Sequence, residues 1–226
     1  MIMHALNWNH KRKESYMELT VKDLKAGISY WKTEKKDIWP KDFHNKAYAE
    51  LYALRENGLT IDWWKGTVDR LWMWRAIRPK TKNDIMLKGK KDLNKLQNYF
   101  YEIQSKVEGE PCFADFEWNQ LEDLYNHLSS IKETKKRSPV FPSKLGHFIF
   151  PKLFIVMDRA ATGIKAYDEY WISLKDAWNK FEQKDTAKNM LNKEICRKPS
   201  VPLTLNYPLE IKIIELCSIG SKLRGS

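Results

Sequence analysis

Apolar residues recur along this chain at intervals of three and four, the repeat that gathers side chains on one face of a helix. Leu24, Ile28 and Trp31 form the first stripe. It follows Thr20 and Asp23, spaced as a capping box, and runs to about residue 35, where Ile38, Trp39 and Pro40 break it. Asp42 is placed to cap a second helix carrying Phe43, Ala47, Leu51 and Leu54, which Asn57 and Gly58 stop through a left-handed residue. Residues 60–77 are the most aromatic stretch, and Trp64, Val68, Leu71 and Arg75 predict a helix that ends at Arg78 and Pro79. Thr81 with Asp84 opens another helix. Gly89 is read as interrupting it, with resumption over 91–107 on Leu93, Leu96, Phe100 and Ile103.

Residues 108–111 (Glu-Gly-Glu-Pro) read as a linker, and 198–202 as a second. Between them the pattern predicts a helix over 115–131 on Leu121, Leu124, Tyr125 and Leu128, and one over 167–184 on Trp171, Leu174, Trp178 and Phe181. A helix capped by Asp185 comes next, reaching Cys196. The last helix starts near Pro208, a residue suited to a first helical position, and buries Leu209, Ile213 and Leu216. Alternating runs are nearly absent. The expected class is all-α, a multi-helix fold of one domain over 15–226 behind a basic arm over 1–14, with subdomains over 15–107 and 112–226.

Composition sharpens the partner more than the fold. The chain has 226 residues, a net charge of +11 and ten tryptophans. That length buries a sizeable core, and the excess of cations among aromatic rings points to nucleic acid, whose phosphates attract lysine and arginine while bases stack on rings. Three well-separated cysteines and no C-x-x-C pair indicate neither a disulfide framework nor a zinc site. The five histidines form no metal-ligand spacing, and no phosphate-binding glycine loop occurs. No metal and no cofactor are expected. With no leader and no run of about 20 apolar residues, the expected setting is the cytosol or nucleoid of a prokaryote, with no membrane partner and a monomeric state.

One stretch concentrates the candidate chemistry. Residues 138–163 hold the longest apolar-rich run, bracketed by Lys144 and Asp158. Pro142 suits the first turn of a short helix carrying Ser143, Lys144, His147 and Phe148, and Pro151 ends it. Residues 153–157 then cross the interior as an extended connection and deliver Asp158, which is placed to cap a further helix at Arg159. By spacing alone, Asp158 is a helix cap and Lys144 one lysine among many.

The string Ser143, Lys144, Leu145, His147, Phe148, Pro151, Phe154 and Asp158 resembles the helix-hairpin-helix DNA glycosylase superfamily, in its 8-oxoguanine glycosylase-like branch. The usual glycine-rich hairpin before the lysine is replaced here by Pro139, Phe141 and Pro142, and the cysteine cluster of the endonuclease III branch is missing. The resemblance implies two helical subdomains around a cleft and an enzyme that flips a damaged or modified base out of double-stranded DNA. Repair and defence against phage are both roles of such enzymes. It implies Lys144 as nucleophile, with strand-cleaving lyase activity arising from its Schiff base, and Asp158 as electrostatic partner. Ser143, His147, Trp63, Trp64, Trp118 and Tyr167 are the residues expected to meet the base. Lys135, Lys136, Arg137, Arg159, Arg75 and Arg78 are expected on the DNA backbone. Two other readings stand beside this one: a non-catalytic nucleic-acid-binding module on the same scaffold, and a helical ribonuclease or toxin-type domain.

Overall fold

A computed structural model describes residues 18–33, 40–132, 138–157, 166–197 and 206–225. These residues are helical, with no strand among them. The helices are α1 (Val21–Thr33), α2 (Asn45–Arg55), α3 (Ile61–Met73), α4 (Lys82–Gln104), α5 (Glu122–Ile131), α6 (Val140–Ile149), α7 (Tyr167–Lys180), α8 (Lys184–Ile195) and α9 (Leu209–Gly225). Single 3-10 turns at Pro79–Thr81 and Trp118–Gln120 precede α4 and α5. The predicted basic arm, the basic run at Lys135, Lys136 and Arg137, and Asp158 with Arg159 lie outside the described residues.

Local chemistry accounts for most of the boundaries. The Asp23 amide donates to Thr20 Oγ1 at 3.0 Å, one half of the predicted box, while the Asp23 carboxylate accepts from the Thr20 hydroxyl in place of the Thr20 amide. Asp42 accepts from the Lys46 amide at 3.0 Å at the entry to α2. Gly58, at φ 92°, takes the left-handed position after it. Thr60 caps α3 by accepting from the Trp63 amide at 3.2 Å.

α3 stops at Met73, well before Arg78 and Pro79. The Arg75 amide donates to the Trp72 carbonyl and the Ala76 amide to the Leu71 carbonyl, both at 2.9 Å. That pair of bonds is a Schellman motif, in which one residue must turn left-handed. Here it is Arg75, at φ 56°, where glycine is usual. Gly89 likewise does not interrupt α4, which runs unbroken for 23 residues. A Cβ on Gly89 would lie 1.9 Å from Trp64 Cζ2. The glycine makes room for that indole, whose N–H donates to the Met86 carbonyl at 3.0 Å. Two further starts differ. α5 begins at Glu122, because Glu117 and Gln120 cap the preceding 3-10 turn. Asp185 sits inside the first turn of α8, after a cap position held by Gln183.

α6 is the central helix. Each residue from Phe141 to Ile149 is buried, with α3 and α5 packed against it. The buried apolar residues form one cluster from Leu19 to Cys217. α1 and α9 close the two ends of the described chain together, and they approach backbone to backbone. A Cβ on Gly220 would lie 1.9 Å from the Asp23 carbonyl oxygen, and one on Gly27 would lie 2.0 Å from that of Leu216. Gly220→Ala is therefore expected to cost about 1–3 kcal/mol, because the atom in the way is backbone and the helices must separate. Urea denaturation checks this, and an unchanged midpoint would mean the helices are not in this register.

Candidate nucleic-acid interface and the buried lysine beneath it

Residues 150–157 cross the interior beside α6 without joining a helix. A buried backbone must find partners for its amides and carbonyls, and this one finds them in side chains. The Trp171 indole donates to the Leu153 carbonyl at 2.9 Å, the Tyr167 hydroxyl to Ile155 at 2.8 Å and the Tyr170 hydroxyl to Val156 at 3.3 Å, all from α7. From α6, His147 Nδ1 donates to the Phe154 carbonyl at 2.7 Å, and Ser143 Oγ accepts from the Met157 amide at 3.2 Å. Gly146 lets the segment close on the helix, since a Cβ there would be 2.8 Å from the Phe154 ring. The chain at Met157 is thereby tied to the start of α6, one residue from Lys144.

His147 is fully buried, with both ring nitrogens engaged. With Nδ1–H given to Phe154, Nε2 accepts from the Tyr48 hydroxyl. Burial above all pushes its pKa down to about 4. The unfolded chain therefore takes up a proton near pH 6.5 that the folded chain refuses until about pH 4. Stability contributed by the neutral ring is complete above pH 6.5 and is lost as pH falls through this window, by up to about 3 kcal/mol. His44, held well below its ordinary value by burial and then by the charges of Lys212, His147 and Lys144, adds loss of the same sign. Urea midpoints at pH 7 and pH 5 test this, and His147→Gln should flatten the difference.

Lys144 is 9% exposed, and Nζ donates to the Trp74 carbonyl at 2.7 Å. Trp74 is the C-cap of α3, so the lysine holds a carbonyl that the helix leaves without an internal partner. Its surroundings are aromatic. The Trp74 ring lies 4.7 Å from His44, 4.8 Å from Phe148 and 6.1 Å from His147. Backbone strain gathers at the same place. Among the described residues three non-glycine positions have positive φ: Phe43 at 52°, His44 at 68° and Arg75 at 56°. Two lead into α2, where His44 packs against Trp74, and the third follows Trp74 directly. Such conformations cost about 1–3 kcal/mol each and concentrate at functional sites.

Above this buried group the surface is basic and carries exposed apolar side chains. Arg75 and Arg78 are exposed. Lys132, at the end of α5, donates to the Ala76 carbonyl, and burial followed by the charge of Arg78 lowers its pKa. Lys88 reaches the Ser130 carbonyl at 2.6 Å. Lys82 sits 5.0 Å from the centre of the Trp72 ring while pairing with Asp69 at 2.6 Å. Trp72 is 45% exposed and Met73 70%. The α3–α4 turn and the end of α5 thus present cations around a ring and a thioether.

The predicted site residues divide among three places. Lys144, Ser143 and His147 share α6, and Arg75 and Arg78 lie over its amino-terminal end. Trp63 and Trp64 are fully buried in the core. Trp118 and Tyr167 belong to an aromatic group beside the crossing segment, where Tyr167 stacks on Tyr125 at 4.5 Å and Trp118 meets Tyr167 edge-on at 5.5 Å. A second set of buried polar groups was not anticipated. Lys212, 1% exposed, pairs with Glu215 at 2.6 Å on α9, and its Nζ lies 5.8 Å from the centre of the Tyr48 ring. Comparison of the chain with models of known families, with curated proteins and with solved structures finds no match. Among the described residues no group of His, Cys, Asp and Glu could hold a metal, and no helix is long and apolar enough to cross a membrane.

Proposed function

We propose that this chain binds double-stranded DNA on the face formed by the α3–α4 turn and the end of α5, and that it excises a damaged or modified base with Lys144 as nucleophile. The observation that carries the reading is the convergence at Trp74. A buried lysine, three strained residues and an exposed basic, aromatic turn meet there. In this reading Arg75, Arg78 and Lys132 hold phosphates. The Lys144 amine keeps one N–H on the Trp74 carbonyl, which orients its lone pair. The lone pair attacks C1′ of the extruded nucleotide, the bond from C1′ to the base breaks, and the base leaves with that electron pair and takes up a proton. Opening of the sugar then gives an imine on Nζ, from which strand cleavage can proceed. Asp158 is proposed as the carboxylate facing the cationic sugar. The arrangement of the helices as two subdomains of the glycosylase kind belongs to the same proposal.

A second reading has its own observation. Lys88, Lys132 and Lys175 also donate to backbone carbonyls, so Lys144 acting as a cap for α3 fits a pattern within this molecule. On that reading the chain binds DNA and releases nothing. Incubation with duplexes bearing oxidised, alkylated, deaminated or hypermodified bases, and then with borohydride, separates the two. Free base and a covalent adduct are expected. Salt-dependent binding without either supports the second reading, and no binding at 50 mM salt overturns both. Arg75→Gly reports on the face itself. It should raise stability by about 1 kcal/mol by removing left-handed strain, yet weaken DNA binding and lower the salt slope by about one.

A further inference from the structure

A concavity among the described residues lies away from this face, at the carboxyl end of α2. It has a volume of about 630 Å³, and none of the residues expected to meet the base lines it. Lys144 is not among its lining residues, and a ligand bound in it is independent of the proposed excision.

The chemistry of the lining narrows the ligand. The one cation that is buried there is already committed. Arg55 donates to the Ile149 carbonyl and to the Glu110 carboxylate, and its guanidinium lies over the Tyr52 ring at 4.2 Å. With that charge neutralised, and with Glu56 also on the wall, nothing is left over for a phosphate. The remaining polar groups are uncharged and able to donate and accept: the side-chain amides of Asn57, Gln104 and Asn206, and the Tyr52 hydroxyl. That hydroxyl oxygen is enclosed, beside the Glu110 carboxylate and the Arg55 guanidinium. Tyr101, 54% exposed, also lines the cavity. Gly58, also on the lining, has φ 92°, and a Cβ there would lie 2.3 Å from Gln97 Nε2 and 3.0 Å from the Tyr101 hydroxyl oxygen.

Rings at one side, amides around the edge and no spare charge match a flat, neutral heterocycle that has donors and acceptors on its rim. We propose that this cavity binds an uncharged nucleoside or free nucleobase, stacked on Tyr101 and read by Asn57, Gln104 and the Tyr52 hydroxyl. Its volume falls in the range of small-molecule sites.

The test uses the full chain with adenosine, guanosine, cytidine and thymidine as probes, read by saturation-transfer NMR and titration calorimetry. At least one nucleoside should saturate a single site. Tyr101→Ala and Tyr52→Phe should each weaken it tenfold or more, with duplex DNA affinity unchanged. The corresponding 5′-monophosphate should bind within threefold of the nucleoside. Absence of saturable binding by all four probes overturns the proposal. So does an affinity unmoved by both variants in protein whose melting temperature is that of the wild type, or a monophosphate that binds tenfold more tightly. Loss of DNA binding on the basic face would leave each of these outcomes readable.

Discussion

Arg55→Met is expected to destabilise the protein by about 3–5 kcal/mol, the usual consequence of leaving half of a buried ion pair behind. The Arg55 side chain is 3% exposed and that of Glu110 14%. The guanidinium joins three parts of the chain that are far apart in sequence. It extends from the last turn of α2, caps the terminal carbonyl of α6 at Ile149, and pairs with Glu110 in the turn after α4. It also lies between the rings of Tyr52 and Phe100, 5.9 Å from the latter. Methionine fills part of the volume but returns none of the five donors, so a carboxylate and a carbonyl remain in low dielectric. The pair itself need contribute little: replacing both members with apolar side chains is often neutral. Arg55→Met with Glu110→Met should therefore recover most of the loss. Urea denaturation of the two variants checks this. A single variant within 1 kcal/mol of the wild type would show that neither group depends on the other.

Arg55 also shows which parts of this molecule were legible beforehand and which were not. The Thr20–Asp23 start of α1, the Gly58 stop and the end of α6 before Pro151 all depend on neighbours within a few residues. Helical spacing and turn chemistry expose them. The crossing of the interior by 153–157 was legible for the same reason, as an apolar run too short and too proline-bounded to be helix. Partners distant in the chain leave no such trace. Glu110 reads as part of a linker, and only the fold brings Arg55 to it. Gly89 reads as a helix breaker, because its purpose is to clear space for Trp64, 25 residues earlier. The end of α3 was hidden because the left-handed position that marks it holds Arg75 in place of glycine. Within the candidate site, Lys144 brackets an apolar run, and by spacing alone it reads as one lysine among many; only the resemblance gives it and His147 a role. His44, Tyr48, Lys212 and Glu215 come from two other helices, and no local pattern distinguishes them from surface residues.

Lys144→Gln is expected to abolish the borohydride-trapped adduct completely while leaving DNA affinity within about threefold, since the phosphate contacts of the proposed face lie on other side chains. Only an amine forms an imine, and glutamine has none. The substitution also takes the Nζ donor away from the Trp74 carbonyl, which costs about 1–3 kcal/mol. A lost adduct could thus reflect a loosened α3, and Lys144→Arg resolves this. Arginine keeps N–H donors for that carbonyl, but its guanidinium stays protonated and cannot attack C1′. If Lys144 is the nucleophile, the arginine variant melts near the wild type, binds DNA and forms no adduct. If Lys144 is a cap alone, the arginine variant behaves as the wild type in every assay. In the glutamine variant, a wild-type yield of adduct would remove Lys144 from the chemistry and leave Trp74 and its strained neighbours as architecture beneath a DNA-binding face. Because the two variants differ in charge but share the loss of the amine, their agreement on the adduct and disagreement on stability is the pattern that only a nucleophilic lysine produces.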